Sequence, residues 1–136
     1  HRPEDIPLFL DEWRRYPVAV IIGNRMDGPR RMPWNRWVAN RLMSALLSRL
    51  AGVPLPDSQC GMRLVPAASL EGWTWRCDHF EVESEMLLRW IQAGVPVRFV
   101  PVEQVGRPGG GSKIRPLVDG WRWARFLAGG LAGSLK

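Results

Sequence analysis

Lysine is nearly missing from this chain: of 19 basic residues, 17 are arginine and 2 are lysine. That removes the flexible point charges of an ordinary basic surface and leaves planar guanidinium forks, which suit bidentate recognition of phosphate. A genome rich in arginine codons would leave the same excess. Cysteine is scarce too. Cys60 and Cys77 have no metal-ligand spacing. They read as two free thiols in a reducing compartment, with a bridge between them as the alternative. No run of 18 apolar residues occurs and no signal peptide opens the chain, so membrane contact is expected to be peripheral or to use segments outside these residues. Internal repeats, low-complexity tracts and linkers are absent. So are the RNP, helix-turn-helix and zinc patterns of nucleic-acid readers.

What remains is one domain, or part of one, of 136 residues with 46% hydrophobic content and a net charge of +6. Charge and eight tryptophans permit a basic nucleic-acid-binding module. The acids in the middle of the chain would repel a phosphate backbone, so no nucleic acid is expected. Most of the tryptophans are expected in the core or in helix packing. Trp121 and Trp123, beside Arg122 and Arg125, also suit a lipid headgroup interface.

Residues 3–15 read as a short helix, with Pro3, Glu4 and Asp5 in its first turn. The β-branched run 18–22 lies between Pro17 and Gly23 and reads as a strand buried on both faces. A Gly/Pro loop covers 23–33. From 33 to 51, Trp34, Trp37, Val38, Leu42, Leu46, Leu47 and Leu50 recur at three and four residues, an amphipathic helix that stops at Gly52. Residues 60–66 are a short strand candidate, with one helical turn near 67–72. Acids crowd the start of a helix ending at Gly94. A second buried strand at 97–102 leads into a Gly-rich loop, and a last helix runs from 116 to 131. Helices alternating with buried strands indicate an α/β fold, a mixed sheet flanked by helices.

The bases form two blocks. Arg25, Arg30, Arg31, Arg36 and Arg41 lie in or after the first loop; Arg107, Lys113 and Arg115 lie in or after the second. Between them stand Asp57, Glu81, Glu83 and Glu85. Phosphorylated substrates need positive clamps, because their oxygens lose hydration on binding, and a departing diphosphate needs the same. The bland alternatives are solvated arginines, a turn-forming Asp57 and a dipole-complementing Glu83. His79 suits a surface or capping role. Residues 106–113 lack Walker A spacing, and a flexible lid is the plain alternative to a phosphate loop.

In order, these segments resemble the family 2 glycosyltransferases of GT-A fold, in the branch that moves a sugar onto dolichyl or polyprenyl phosphate. Gly23-Asn24-Arg25 is similar to the family's Gly-Ser-Arg, and Arg36 with Asn40 to its Arg-x-x-x-Ser pair. Asp57-Ser58-Gln59-Cys60-Gly61-Met62-Arg63 is similar to its Asp-x-x-x-Gly-Phe-Arg turn. Phe80-Glu81-Val82-Glu83 matches its Phe-Glu-x-Glu helix start, and Val100-Pro101 with Arg107, Ser112 and Lys113 matches its phosphate-binding post-strand loop. His1-Arg2-Pro3-Glu4-Asp5 stands where that family continues after a DxD metal motif, and no DxD occurs in this chain.

The resemblance therefore implies the acceptor-side, C-terminal half of a GT-A domain, with the nucleotide-binding half outside it. It also implies an inverting transfer from a nucleotide-sugar donor to a lipid-phosphate acceptor. Mg or Mn would serve the full-length enzyme, with no ligands for it in this chain. This chain alone is expected to be inactive. The implied localisation is cytoplasmic, at the inner face of the membrane. Asp57 is the first choice as base and Glu83 the second. Arg25, Arg36, Asn40, Arg107, Ser112 and Lys113 are expected to hold acceptor and diphosphate. A non-catalytic membrane-surface remnant is a further alternative.

Overall fold

The two β-branched runs come together as parallel strands. The computed structural model describes residues 1–27, 32–74, 76–77, 81–103 and 116–131. Its main elements are helix α1 (Ile6–Arg15), strand β1 (Val20–Asn24), helix α2 (Trp34–Ala51), strand β2 (Arg63–Leu64), helix α3 (Val82–Gln92), strand β3 (Val97–Pro101) and helix α4 (Pro116–Leu131). Short 3-10 turns occupy Pro3–Asp5 and Ala67–Leu70.

β1 is the middle strand of three. It pairs antiparallel with β2 through Ile21–Leu64 and Ile22–Arg63, and parallel with β3 from Val20–Val97 to Asn24–Pro101. The expected mixed sheet flanked by helices is therefore present. Val20, Ile21 and Ile22 are fully buried, as a central strand covered on both faces requires. The strand starts two residues later than the apolar run, because the Ala19 N–H closes a turn onto the Tyr16 carbonyl at 3.0 Å and leaves Val18 exposed.

Three expectations need correction. β3 is not buried on both faces: it pairs on one side only among the described residues, and Arg98 and Pro101 are exposed while Val97 and Phe99 are half-buried. Arg98 lies over the Tyr16 ring at 4.2 Å and bonds Glu12 at 3.0 Å, which suits an edge strand that meets water. The apolar positions of α2 do not all face the core. Leu47 and Ser44 are buried, whereas Trp34, Val38, Leu42 and Leu46 point outward. Among the described tryptophans, only Trp90 and Trp123 are buried. Trp123 belongs to the core with Phe126, so of the pair considered for a lipid interface only Trp121 is exposed. No described helix is long and apolar enough to cross a membrane. Cys60 and Cys77 form no disulfide.

Candidate functional site

In a parallel pair the crevice beyond the carboxyl ends of the strands is the natural place for a ligand. Here β1 ends against the loop 57–62 and the start of α3. Gly23 permits that approach: a Cβ there would lie 2.9 Å from both Cys60 Sγ and Val102 Cγ2. Asn24 then shapes the turn. Its Oδ1 accepts the Met26 N–H at 2.9 Å and its Nδ2 donates to Asp27 at 2.5 Å.

Asp57 is wholly buried and saturated. Arg25 grips it in a fork, Nε to Oδ2 at 2.8 Å and Nη2 to Oδ1 at 2.9 Å. The Arg25 backbone N–H adds a bond to Oδ2 at 3.0 Å, and the Gln59 N–H bonds Oδ1 at 3.2 Å. The last contact is an Asx turn, so the bland turn reading and a charged contact coexist in one side chain. Burial works against the Arg25 charge, and the hydrogen bond and charge of Asp57 outweigh it, holding Arg25 above its ordinary value.

Arg63 is the second clamp. Its guanidinium donates to three carbonyls: Nε to Cys60 at 2.9 Å, Nη2 to Ser58 at 3.1 Å and Nη1 to Glu83 at 2.9 Å. One side chain thus ties the 58–60 loop to the first turn of α3. Burial pushes its pKa down, opposed first by the charge of Glu83.

Glu83 differs from Asp57 in every respect. It is half-buried in the first turn of α3, and no hydrogen bond or ion pair engages its side chain among the described residues. Its Oε1 passes close to Gly61, where a Cβ would sit 3.1 Å away. Burial pushes its pKa up; Arg63 and Arg25 oppose the rise and Asp57 adds to it. Glu85, two residues on, is fully buried and spent. It accepts the Arg76 and Cys77 N–H groups at 2.9–3.2 Å and meets Arg89 at 2.6 Å. Burial likewise raises the Cys60 thiol to about 11, so it stays protonated and is no nucleophile at neutral pH.

A buried polar network supports the loop from below. Ser44 Oγ on α2 lies 3.1 Å from Ser58 Oγ and accepts the Ser58 N–H at 2.9 Å. Gln59 Nε2 donates to Ser58 Oγ at 2.9 Å and to Ser84 Oγ at 3.2 Å, and Trp123 Nε1 donates to Ser84 Oγ at 3.3 Å. Two helices are thereby bonded to one loop, with α4 joined to them through Ser84, and a satisfied network of this kind holds geometry rigidly.

Of the sequence-derived residues, Arg25, Asp57 and Glu83 are brought together. Arg36 and Asn40 stand on α2 with no described contact to them. Arg36 is exposed, and Asn40 donates to Met32 Sδ at 3.4 Å. Arg107, Ser112 and Lys113 lie outside the described residues, as do Arg30, Arg31, His79, Phe80 and Arg115. Sequence reasoning gave Arg63 no role, although a lone arginine in the otherwise apolar stretch 62–65 was a usable signal. It missed Ser44, Ser58, Ser84 and Trp123 as a network, because their contacts join residues 14 to 39 positions apart. Among the described residues no group of three or more His, Cys, Asp or Glu side chains is placed to hold a metal ion. Comparison with protein-family models, curated proteins and solved structures finds no match for the chain.

Proposed function

We propose that the crevice between the end of β1, the loop 57–62 and the start of α3 is the acceptor side of an inverting glycosyl transfer. The donor is a nucleotide-sugar and the acceptor a lipid phosphate of the polyprenyl type. The observation that carries the reading is the contrast at the crevice: Asp57 is sealed under Arg25, while Glu83 stands beside two arginines, half-buried, with no partner for its side chain among the described residues and with a raised pKa. A carboxylate shifted toward neutrality by burial is suited to taking a proton at working pH. The ordered motif resemblance supports the reaction class.

In this reading the order of the two acids reverses. Glu83 is the base, and the Arg25–Asp57 pair is the frame that fixes the loop. The acceptor oxygen attacks the anomeric carbon from the face opposite the leaving group. An O–C bond forms, the C–O bond to the nucleotide diphosphate breaks, and the diphosphate leaves with the electron pair. A phosphate acceptor is already largely ionised at neutral pH, with a second pKa of about 6. Any proton remaining on the attacking oxygen passes to Glu83. Arg36, exposed at the start of α2, meets the acceptor phosphate. Arg107, Ser112 and Lys113 are proposed for the leaving diphosphate on the strength of the resemblance.

Titration of the 136-residue chain with a short-chain prenyl phosphate, followed by calorimetry, tests the acceptor half of the proposal. Saturable binding of the phosphate is expected, with the matching prenyl alcohol bound far more weakly. Arg36→Ala should weaken the phosphate about ten- to a hundredfold, the scale of one lost charge-assisted hydrogen bond, and Arg49→Ala should not. Equal affinity for phosphate and alcohol would overturn it.

A further inference from the structure

Arg63 directs its hydrogen bonds to neutral partners. Its guanidinium donates to the carbonyls of Cys60, Ser58 and Glu83 at 2.9–3.1 Å, and no carboxylate bonds it among the described residues. The group also lies 5.9 Å from the centre of the Trp90 ring, and Trp90 is fully buried. Carbonyls satisfy the N–H groups of a guanidinium and leave its charge uncancelled. Burial works against that charge. At Asp57 the opposite holds, since Arg25 and Asp57 neutralise one another in a fork. The crevice therefore contains one cancelled pair and, on β2, one positive charge that no bonded acid answers.

Two of the three bonds bracket the place of the Glu83 carboxyl. Nη1 holds the Glu83 carbonyl and so fixes the turn from which the side chain springs. Nε holds Cys60, the neighbour of Gly61. Glu83 Oε1 lies against Gly61, where a Cβ would be 3.1 Å away. Arg63 thus sets the separation between the turn that carries Glu83 and the loop its carboxyl lies against. The other charged groups that act on this carboxyl are Arg25, which favours the anion, and Asp57, which opposes it. On α3, Glu85 is already engaged with Arg76, Cys77 and Arg89, and α4 reaches the turn through Trp123, bonded to Ser84. Of the charges that favour an ionised Glu83, that of Arg63 is the strongest.

We propose that Arg63 is a positioning residue that acts through Glu83: it sets where the carboxyl stands, and its uncancelled charge keeps that carboxyl an anion against burial. The inference rests on the reading of Glu83 as the base. A buried carboxyl with no cation near it holds its own proton and cannot take one from an acceptor. Arg63 supplies the cation without forming the close ion pair that would occupy the carboxylate oxygens, as Arg25 occupies those of Asp57.

Titration of Glu83 itself tests it, in the 136-residue chain with no substrate present. The carboxyl carbon is followed by NMR in glutamate-labelled protein and assigned by its loss in Glu83→Gln. Arg63→Gln should move the Glu83 midpoint upward. Arg63→Lys keeps the charge and should bring the midpoint back toward wild type. An Arg63 that merely tied carbonyls together would leave the midpoint in place in both variants. A second measurement changes nothing at position 63: the Arg63 Nε–H resonance of the wild-type chain should shift with the Glu83 midpoint, and the shift should vanish in Glu83→Gln. If Arg63→Gln does not fold, this resonance decides. In the proposed transfer, the acid limb of the rate profile should follow the Glu83 midpoint, upward in Arg63→Gln and back in Arg63→Lys. A limb that ignores a displaced midpoint would overturn the base reading alone. An unmoved midpoint in a folded Arg63→Gln chain, or an Arg63 Nε–H resonance that does not follow Glu83, would overturn the role of Arg63.

Discussion

Asp57 and Glu83 look alike in the sequence, two acids in the central segment, and the fold treats them in opposite ways. Asp57 receives four hydrogen bonds, two of them from the Arg25 fork, and is shut from solvent. Glu83 receives none among the described residues and keeps part of its surface open. A saturated carboxylate has no lone pair to spare for a reacting proton. An unsaturated one, raised by burial, does. The lesson is that candidate bases are separated by what else they are doing, and that this is a property of the partner residues.

The largest effect expected from breaking the contrast is on stability, at Asp57. Asp57→Asn keeps the shape and the Asx turn but strands the charge of Arg25, whose side chain is only 12% exposed. Removing one partner of a buried ion pair costs about 3–5 kcal/mol. Urea unfolding should show that loss. Replacing both partners together, Arg25→Met with Asp57→Leu, should recover much of it, because no buried charge is then left alone. An Asp57→Asn protein of wild-type stability would mean that the pair does not frame the loop.

Glu83→Gln should do the reverse: lower the rate and spare the fold. If the proposed transfer is the reaction, its rate should fall about 10²-fold. The pH behaviour sharpens the test. The folded-state pKa of Glu83 is raised, so the folded chain binds this proton more readily than the unfolded chain. Wild-type stability from this group is therefore fullest below the ordinary carboxylate range and declines as pH rises through the raised value. Glu83→Gln lacks that decline, and its melting temperature at neutral pH should equal or exceed wild type. At low pH the two should converge. The acid limb of the wild-type rate profile should likewise lie above the ordinary carboxylate range. A marked destabilisation at neutral pH, with the rate preserved, would return Glu83 to a helix-dipole role.

Local pattern was enough for the elements. The β-branched run before Gly23 marks β1, Gly52 ends α2, and the acids at 81–85 mark the start of α3, all from nearest-neighbour chemistry. It was not enough for the second face of α2. Period alone shows that apolar residues recur, and whether Leu42 or Leu47 faces the core depends on the helix's rotation against α3 and α4. The same limit applies to β3, whose apolar run does not reveal that only one edge is paired among the described residues. At the site, Arg25, Asp57 and Glu83 were legible as residues, and the fork between Arg25 and Asp57 was not. It joins positions 32 apart, and an acid available to a ligand has the same local spelling as an acid consumed by an arginine.

The finest probe of the contrast is a methyl group at Gly61. This glycine has no positive φ to protect, so its substitution is not resisted by backbone strain. What resists is the carboxylate: an added Cβ would lie 3.1 Å from Glu83 Oε1, tighter than ordinary van der Waals contact. The neighbour is the end of a side chain that no hydrogen bond holds among the described residues, so it can yield by a few tenths of an ångström. Gly61→Ala should therefore cost under ~1 kcal/mol of stability, below the usual penalty for an overpacked core. If Glu83 acts on the acceptor oxygen, that displacement should lower the rate by about three- to tenfold, since proton transfer depends on hydrogen-bond reach. Gly23→Ala is the counterpart in the frame. There the Cβ would meet Cys60 Sγ and Val102 Cγ2 at 2.9 Å, both buried, and a stability loss of about 1–3 kcal/mol should appear. Initial rates and urea midpoints for the two alanine variants complete the comparison. A Gly61→Ala protein with an unchanged rate would mean that the position of Glu83 Oε1 does not matter to the reaction.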